Sequence, residues 1–156
     1  MLENIGPYFY IIFVAITAIG AYAIIPKQDL KKYFLYGLVF GAVGDILVYS
    51  TIHSLGLAGY LGFEELKVLN DYSIFTPITW LFAFMIFFYF LPVRPVFLII
   101  YIAAWTALNY SVGLVMENLG LFWHAHIYYY FEPLVFAAWY SIAAFGFRKL
   151  EKRYRV

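Results

Sequence analysis

Five long apolar runs, separated by proline, glycine and charged residues, make up most of this 156-residue chain. Each run has about the 20 mainly apolar residues that a helix needs to cross the core of a bilayer. Pro26 ends the first run, and Pro92 and Pro95 flank a reversal between the third and fourth, because proline cannot continue a helix. The runs show no internal repeat convincing enough to suggest a duplicated transporter. We expect an all-α bundle of five transmembrane helices forming one domain over residues 1–156, with spans at about 5–25, 33–53, 75–91, 96–116 and 122–147.

The overall composition is typical of an integral membrane protein. Hydrophobic residues make up 65% of the chain and charged residues only 12%, whereas about a quarter of residues are charged in soluble domains. The formal net charge of +1 argues against a nucleic-acid partner, and the absence of cysteine excludes disulfides and thiolate metal sites. The first four residues provide no basic segment ahead of the first run, so we expect this span to be retained rather than cleaved as a signal peptide.

The positive charges predict how the helices are oriented. Short cytoplasmic loops of membrane proteins carry an excess of lysine and arginine. In the five-span arrangement every basic residue except Lys67 falls on one side. We therefore predict a multi-pass plasma-membrane protein with its N-terminus outside and with the basic tail that begins at Arg148 in the cytoplasm.

The longest predicted loop, residues 54–74, lies on the outer side. Its second half, residues 63–72, has Leu66, Leu69 and Tyr72 at helical spacing. This pattern predicts a short amphipathic element on the outer membrane surface, in the position of a lid.

Polar or small residues recur every four positions in three of the predicted spans. Residues four apart lie on one face of a helix, so each series predicts a stripe within an otherwise apolar span. The stripes are Gly37, Gly41, Asp45, Tyr49 and His53 in the second span, Trp105, Asn109, Gly113 and Glu117 in the fourth, and His124, Tyr128 and Glu132 in the fifth.

At a rise of about 1.5 Å per residue, the three stripes agree in depth. Polar groups in hydrocarbon need partners, and ionisable ones mark functional sites. The outer layer holds His53, Glu117 and His124, and the layer near mid-membrane holds Asp45, Asn109 and Glu132. Because the cytoplasmic halves of the spans are almost entirely apolar, we expect a polar pocket that opens outward and closes inward. Pro133 also leaves a carbonyl near Tyr129 without its helical donor.

This pocket favours ligand binding or sensing linked to protonation. A channel needs polar groups along a route to both faces, which one copy of this chain lacks. Carboxyl groups in hydrocarbon are suited to proton uptake, and tyrosine-rich walls suit a lipid-like or small-molecule ligand. The predicted ligand-binding residues are Asp45, Tyr49, His53, Asn109, Glu117, His124, Tyr128 and Glu132.

Two other functions fit the same residues. The pocket would suit an intramembrane enzyme acting on a lipid-like substrate. Alternatively, Gly37 and Gly41 form a small-residue pattern that lets helices approach closely, as in an accessory subunit that docks on a second copy or on a partner subunit. In that case Asp45 and Glu132 would bond to Asn109 or to tyrosines and only hold the bundle together.

A metal site is a further hypothesis. His53, Glu117, His124 and Glu132 carry the donor types that bind zinc or non-haem iron. No compact ligand motif accompanies them, so the sequence itself predicts no particular cofactor.

The order of several features resembles a known family. The string Gly-Asp-Ile-Leu-Val-Tyr at 44–49 lies late in the second span and is followed by a polar outer segment. The phenylalanine-rich third span ends at Leu91-Pro92, and Trp105 lies in the fourth. In layout, most of the chain resembles a family of small, uncharacterised polytopic membrane proteins found mainly in spore-forming Firmicutes. The resemblance implies a location in the cell membrane and provides no catalytic residue.

Overall fold

The computed structural model describes residues 6–61, 67–68 and 72–151 and shows a helical bundle. Its helices are α1 (Gly6–Ile24), α2 (Lys27–Tyr36), a π-helical segment (Gly37–Val43), α3 (Gly44–Ser54), α4 (Phe75–Tyr89), α5 (Pro95–Asn118) and α6 (His126–Leu150). Since α2, the π-helical segment and α3 form one continuous helix, Lys27–Ser54, the described residues make five helices. The predicted all-α bundle is confirmed.

Two of these helices are long and apolar enough to cross a membrane by length and composition. They are the continuous helix Lys27–Ser54 and α5. The apolar helices Tyr8–Ile24 and Phe75–Tyr89 are shorter. The finding supports membrane association only in part, so the five-span arrangement and its orientation remain predictions.

The helices run between two chemically different ends. At the basic end, Lys32 Nζ lies 3.1 Å from Glu151 Oε2, and Arg148 donates a hydrogen bond of 2.7 Å to the carbonyl of Val93. These contacts bring together α2, the turn before α5 and the end of α6. The basic residues near these contacts, predicted to be cytoplasmic, therefore gather at one end of the bundle.

The opposite end, here called the sheet end, carries short strands. The strands are β1 (Ala58–Tyr60), β2 (Lys67–Val68), β3 (Tyr72–Ser73) and β4 (Phe122–His124). β1 pairs with β4 and β2 with β3, both antiparallel. Most of the amphipathic element predicted over residues 63–72 lies outside the described residues. Its described parts are extended rather than helical, because β2 and β3 satisfy their backbone groups by pairing with each other.

Helix α6 begins four residues after Phe122, the approximate start predicted for the fifth span. Residues Phe122–His124 form β4, and Ala125 is also extended, with φ −66° and ψ 141°, so α6 begins at His126. Three residues ahead of a helix cannot be distinguished from its first turn by periodicity. Pairing with β1 and a 2.7 Å hydrogen bond from Ala125 N–H to the Leu57 carbonyl hold the segment extended.

The basic-end half of the bundle is filled with aromatic side chains. Phe84, Phe87 and Phe88 of the central helix α4 are fully buried. Their rings pack against Tyr140 and Phe147 of α6, with centroid separations of 4.8 Å for Phe87–Tyr140 and 4.7 Å for Phe88–Phe147. This half of the molecule is a solid core.

Gly37 and Gly41 lie where the π-helical segment crosses α4. A Cβ atom at Gly37 would overlap the carbonyl oxygen of Leu81, and one at Gly41 would overlap that of Trp80. The close approach expected of a small-residue pattern is therefore made within the chain. Both glycines are therefore used in packing against α4, and docking of a partner subunit stays a prediction.

Helices α3 and α5 end in the same way, 64 positions apart. Gly56 has φ 65° and donates a 2.9 Å hydrogen bond to the carbonyl of His53, and Gly120 has φ 70° and donates a 2.9 Å bond to that of Glu117. The following leucine donates in each case to the carbonyl five residues earlier. Both ends are Schellman motifs, which require a left-handed residue such as glycine.

The pairing of β1 with β4 follows the same spacing. Gly59 pairs with Trp123, 64 positions later, and the pairs Ala58–His124 and Tyr60–Phe122 flank it symmetrically. An approximate twofold axis through Gly59 and Trp123 therefore relates α3–β1–α4 to α5–β4–α6. The segments α3–β1 and α5–β4 are therefore structurally equivalent at a spacing of 64 residues. The correspondence is hidden in the sequence because an additional segment, residues 62–74, lies between β1 and α4, whereas only Ala125 separates β4 from α6.

Candidate functional site

A cavity of about 300 Å³ lies in the sheet-end half of the bundle. All five helices contribute to its wall, and Ala58, Tyr60 and Phe122 of β1 and β4 cover its outer end. Leu108 of α5 is also part of the wall and is 55% exposed, so the wall reaches the lateral surface of the bundle there. The sheet thus covers the end at which the sequence predicts an opening.

The α3 and α5 walls of the cavity are built from equivalent positions. Each α3 member has an α5 counterpart 64 positions later. The pairs are Asp45–Asn109, Val48–Val112, Tyr49–Gly113 and Ile52–Met116. The cavity therefore lies on the approximate twofold axis, with a carboxyl group on one side and an amide at the equivalent position on the other.

The eight predicted ligand-binding residues divide into two groups. Five contribute to the cavity wall, namely Asp45, Tyr49, Asn109, Tyr128 and Glu132. The remaining three, His53, Glu117 and His124, are not part of the wall and contact residues near it at the sheet end. Whether any of them binds a ligand stays a prediction.

Asp45 is buried at the start of α3, with 3% of its surface exposed. The preceding residue, Gly44, makes room for the indole of Trp139, whose Nε1 lies 2.8 Å from the place a Cβ atom would occupy. The same Nε1 donates a 2.9 Å hydrogen bond to the carbonyl of Phe40. A fixed aromatic ring is therefore packed against the turn that carries Asp45.

Glu132 is the second buried acid of the cavity wall and is bound from behind by His124. Glu132 Oε2 lies 3.0 Å from His124 Nε2, and the two side chains are 4% and 1% exposed. The other ring nitrogen, Nδ1, lies 3.2 Å from Glu117 Oε2, at ion-pair distance but without hydrogen-bond geometry. The imidazole of His124 thus stands between two carboxylates.

The charge of His124 depends on these neighbours. His124 lies on β4, outside the helices. Burial acts to lower the pKa of its imidazole, but the hydrogen bond and charge of Glu132 and the charge of Glu117 outweigh burial and raise the pKa above its ordinary value of 6.5. The ring is therefore suited to carry a proton and to compensate a carboxylate.

The four residues of the metal hypothesis are not brought together. Both ring nitrogens of His124 face carboxylate oxygens, Nδ1 at 3.2 Å from Glu117 and Nε2 at 3.0 Å from Glu132. His53 binds elsewhere, with Nδ1 3.4 Å from the carbonyl of Ala58. Within the described ranges, no three or more histidine, aspartate or glutamate residues are grouped so as to hold a metal ion. The structure therefore does not bring the four residues of this hypothesis together in one group.

His53 and Tyr49 attach β1 to α3. Their rings stack at 5.4 Å, and the Tyr49 ring stacks on Tyr60 at 4.8 Å. The backbone N–H of Tyr60 donates a 3.4 Å hydrogen bond to the Tyr49 hydroxyl. These contacts hold the strand over the cavity.

Asn109 connects α5 to α6 below the cavity. Its Nδ2 donates hydrogen bonds of 2.7 Å to the hydroxyl of Tyr140 and 2.8 Å to the carbonyl of Trp105. The amide is therefore bonded to a fully buried tyrosine rather than to Glu132.

The backbone carbonyl that Pro133 is predicted to leave without a helical donor accepts a hydrogen bond from another helix. α6 continues through Pro133, and the Tyr129 carbonyl accepts a long hydrogen bond of 3.4 Å from the Tyr110 hydroxyl of α5. This contact joins α5 to α6 at the level of Glu132.

Sequence reasoning missed Phe136 and Trp139 of the cavity wall. A signal for Phe136 was present, since it continues the four-residue series Tyr128 and Glu132 by one step. Trp139 leaves that series, and its position follows from the space that Gly44 provides on a different helix.

Comparison of the chain with known proteins finds no matching family model, no matching curated protein and no matching solved structure. Functional inference therefore relies on the cavity and its chemistry.

Proposed function

We propose that this protein spans the plasma membrane several times and binds a small, mainly apolar ligand in the cavity between its helices. The observation that carries the proposal is the burial of two carboxyl side chains, Asp45 and Glu132, in the wall of a mainly apolar cavity of about 300 Å³. Ionisable groups within membrane-spanning segments are rare and mark candidate functional sites. The volume lies at the lower end of the range for ligand pockets.

The outer surface of the bundle supports insertion into a membrane. Ile16 of α1 is 60% exposed, and Ile99 of α5 and Phe145 of α6 are each 71% exposed. Comparable apolar side chains lie along the same helices. Soluble monomers rarely expose contiguous apolar surfaces of this extent. With lysine and arginine excess on the cytoplasmic side, the basic end faces the cytoplasm and the sheet end faces outward.

The cavity wall suggests the chemical class of the ligand. Asp45 and Glu132 contribute carboxyl groups, and among its described residues the wall contains no lysine, arginine or histidine. Trp80, Trp105 and Trp139 contribute aromatic surface. Carboxylates beside aromatic rings suit an organic cation or a strong hydrogen-bond donor attached to an apolar body.

In this proposal, protonation of His124 links ligand binding to pH, which would allow the protein to act as a sensor. His124 belongs to the strand that covers the cavity, and it contacts Glu132, which lines the cavity. Glu117, Glu132 and the ring of Tyr128 face the imidazole. Loss of its proton would weaken the contact between strand and wall, so ligand occupancy and proton uptake are coupled in this proposal.

Binding of two matched probes to protein in lipid nanodiscs tests the function. Benzyltrimethylammonium and its uncharged isostere neopentylbenzene would be titrated, with tryptophan fluorescence as the readout. Val112→Trp fills the cavity, whereas Val115→Trp places the same side chain on the 51% exposed outer face of α5. We expect probe binding that Val112→Trp abolishes and Val115→Trp leaves intact, with the cation preferred. Absence of saturable binding of either probe would contradict the proposal.

One observation favours catalysis as a second candidate. Glu132 lines the cavity while His124 holds one of its carboxylate oxygens, an arrangement that orients a general base. An intramembrane enzyme would convert a lipid-like substrate at this carboxylate. Chemical conversion of lipids by the purified protein, detected by mass spectrometry and lost in Glu132→Gln, would favour this candidate over binding alone.

A further inference from the structure

Helix α1 occupies a seat between α4 and α5 at the sheet end. It packs along α4, and its buried Tyr10 forms an apolar cluster with Met116 and Leu121. The Tyr10 hydroxyl also donates a 2.9 Å hydrogen bond to the carbonyl of Leu121. The seat thus combines apolar contacts with one backbone acceptor.

The approximate twofold axis generates a second seat between α6 and α3. An apolar groove of about 630 Å³ lies there, and its α3 side is lined by the positions equivalent to the α5 side of the α1 seat. Met116, Leu119 and Leu121 of the α1 seat correspond to Ile52, Leu55 and Leu57 of the groove, each 64 positions earlier. The described residues contain no counterpart of α1 in this groove, whose lining includes no charged residue.

The backbone acceptor of the seat is repeated as well. The Leu121 carbonyl accepts a 2.8 Å hydrogen bond from Leu61 N–H, and the equivalent Leu57 carbonyl accepts a 2.7 Å bond from Ala125 N–H. Tyr10 supplies a second donor to Leu121, whereas no second donor reaches Leu57 from the part of the chain that the structure describes. A carbonyl oxygen has two lone pairs, so Leu57 has capacity for one more hydrogen bond.

We infer that this groove receives a single uncharged transmembrane helix of a partner protein, seated as α1 is seated in the equivalent position. The partner helix carries a hydroxyl-bearing side chain near its outer end, which donates to the Leu57 carbonyl. The inference rests on the proposed insertion into a membrane and is independent of the ligand cavity.

A second copy of this chain fits the groove less well than a partner helix. The face of α1 that carries Tyr10 is already buried in its own chain. The axis places α1 and the groove on opposite sides of the bundle, so contacts between copies would be head-to-tail and would not close as a dimer. A lipid acyl chain would match the apolar wall but has no donor for Leu57.

A synthetic peptide with the sequence of Tyr8–Ile24 is the natural probe, because this helix fills the equivalent seat. The peptide would carry a fluorescent donor, and the full chain in nanodiscs would carry an acceptor at Ser54→Cys, the chain having no native cysteine. We expect saturable energy transfer at one peptide per chain. Thr51→Trp, which fills the groove, should weaken binding by about ten-fold or more. Ile142→Trp, on an exposed part of α6, should leave it unchanged.

A Tyr10→Phe version of the peptide tests the hydrogen bond without altering the chain. Loss of one such bond should weaken binding by about five-fold. Absence of saturable transfer, or binding that Thr51→Trp does not affect, would overturn the inference. Energy transfer between two labelled copies of the chain in the absence of peptide would also overturn it. So would quenching of a probe in the groove by brominated lipid that the peptide does not displace. None of these results bears on the cavity-binding test with Val112→Trp, so the two proposals can fail independently.

Discussion

His124 and Glu132 form a buried pair that ties the covering strand to the cavity wall. The atoms Nε2 and Oε2 are 3.0 Å apart, and neither side chain exposes more than 4% of its surface. Removal of one member leaves a buried group without its partner, which is more costly than exchange of both. This contact therefore couples the stability of the sheet end to the protonation of one imidazole.

Replacement of His124 should destabilise the protein strongly. His124→Ala leaves the Glu132 carboxylate buried without its partner, and we expect a loss of about 3–5 kcal/mol in the free energy of unfolding. Denaturant titration in detergent, followed by tryptophan fluorescence, measures this loss. His126→Ala removes an exposed imidazole two residues away and should change the free energy by less than about 0.5 kcal/mol. Equal effects of the two substitutions would contradict a specific role for the buried pair.

The stabilisation by His124 should decrease as the pH rises. Because the folded state raises the pKa of His124, the protonated pair contributes fully below the ordinary value of 6.5, and its contribution is lost as the pH passes the raised pKa. The difference in Tm between the native chain and His124→Gln should therefore be largest in mildly acidic buffer and shrink in alkaline buffer. Groups that titrate identically in the two proteins cancel in the difference. A Tm difference that is constant or grows with pH would contradict the assignment.

Gly41 and Gly20 should respond in opposite directions to the same substitution. Gly41→Ala places a Cβ atom against the Trp80 carbonyl and should cost about 1–3 kcal/mol through displacement of α4. A Cβ atom at Gly20 would meet only Ile86 Cδ1, at an ordinary 3.5 Å, so Gly20→Ala should stabilise α1 by roughly 0.5–1 kcal/mol. Thermal unfolding of the two variants beside the native chain measures the contrast. If Gly41→Ala is tolerated as well as Gly20→Ala, the close crossing with α4 is incorrect.

The helices and the depth of the polar residues could be predicted because both depend on local pattern. Apolar runs and proline positions predict where helices lie, and four-residue spacing predicts that Asp45, Asn109 and Glu132 share one region of the bundle. These residues do line one cavity. A periodicity of this kind is encoded within each segment, without reference to the rest of the chain.

Features that depend on distant segments could not be predicted in this way. Phe122–His124 is a strand because it pairs with Ala58–Tyr60, 64 positions earlier, and a three-residue segment carries no signal of such a partner. His124 reaches Glu132 from that strand and not from the helical face that its spacing indicates. The equivalence of α3 and α5 is not visible in the sequence, because equivalent positions such as Asp45 and Asn109 carry different residue types of similar shape.

The orientation can be tested with single cysteines, since the native chain has none. Ser54→Cys lies at the exposed sheet end, and Lys31→Cys lies exposed at the basic end. If the basic end is cytoplasmic, a membrane-impermeant maleimide should label Ser54→Cys in intact cells and Lys31→Cys only after permeabilisation. The reverse pattern, or labelling of both positions in intact cells, would contradict the predicted orientation.

The most direct measurement is a high-resolution density map of the protein in lipid nanodiscs with benzyltrimethylammonium present. The account predicts non-protein density inside the cavity, between Asp45 and Glu132 and against the tryptophan rings, and its absence in Val112→Trp. A collapsed cavity, with Asp45 and Glu132 bonded only to protein groups and density confined to the lipid-facing surface, would contradict it. In that case the polar stripes would serve only to hold the bundle together.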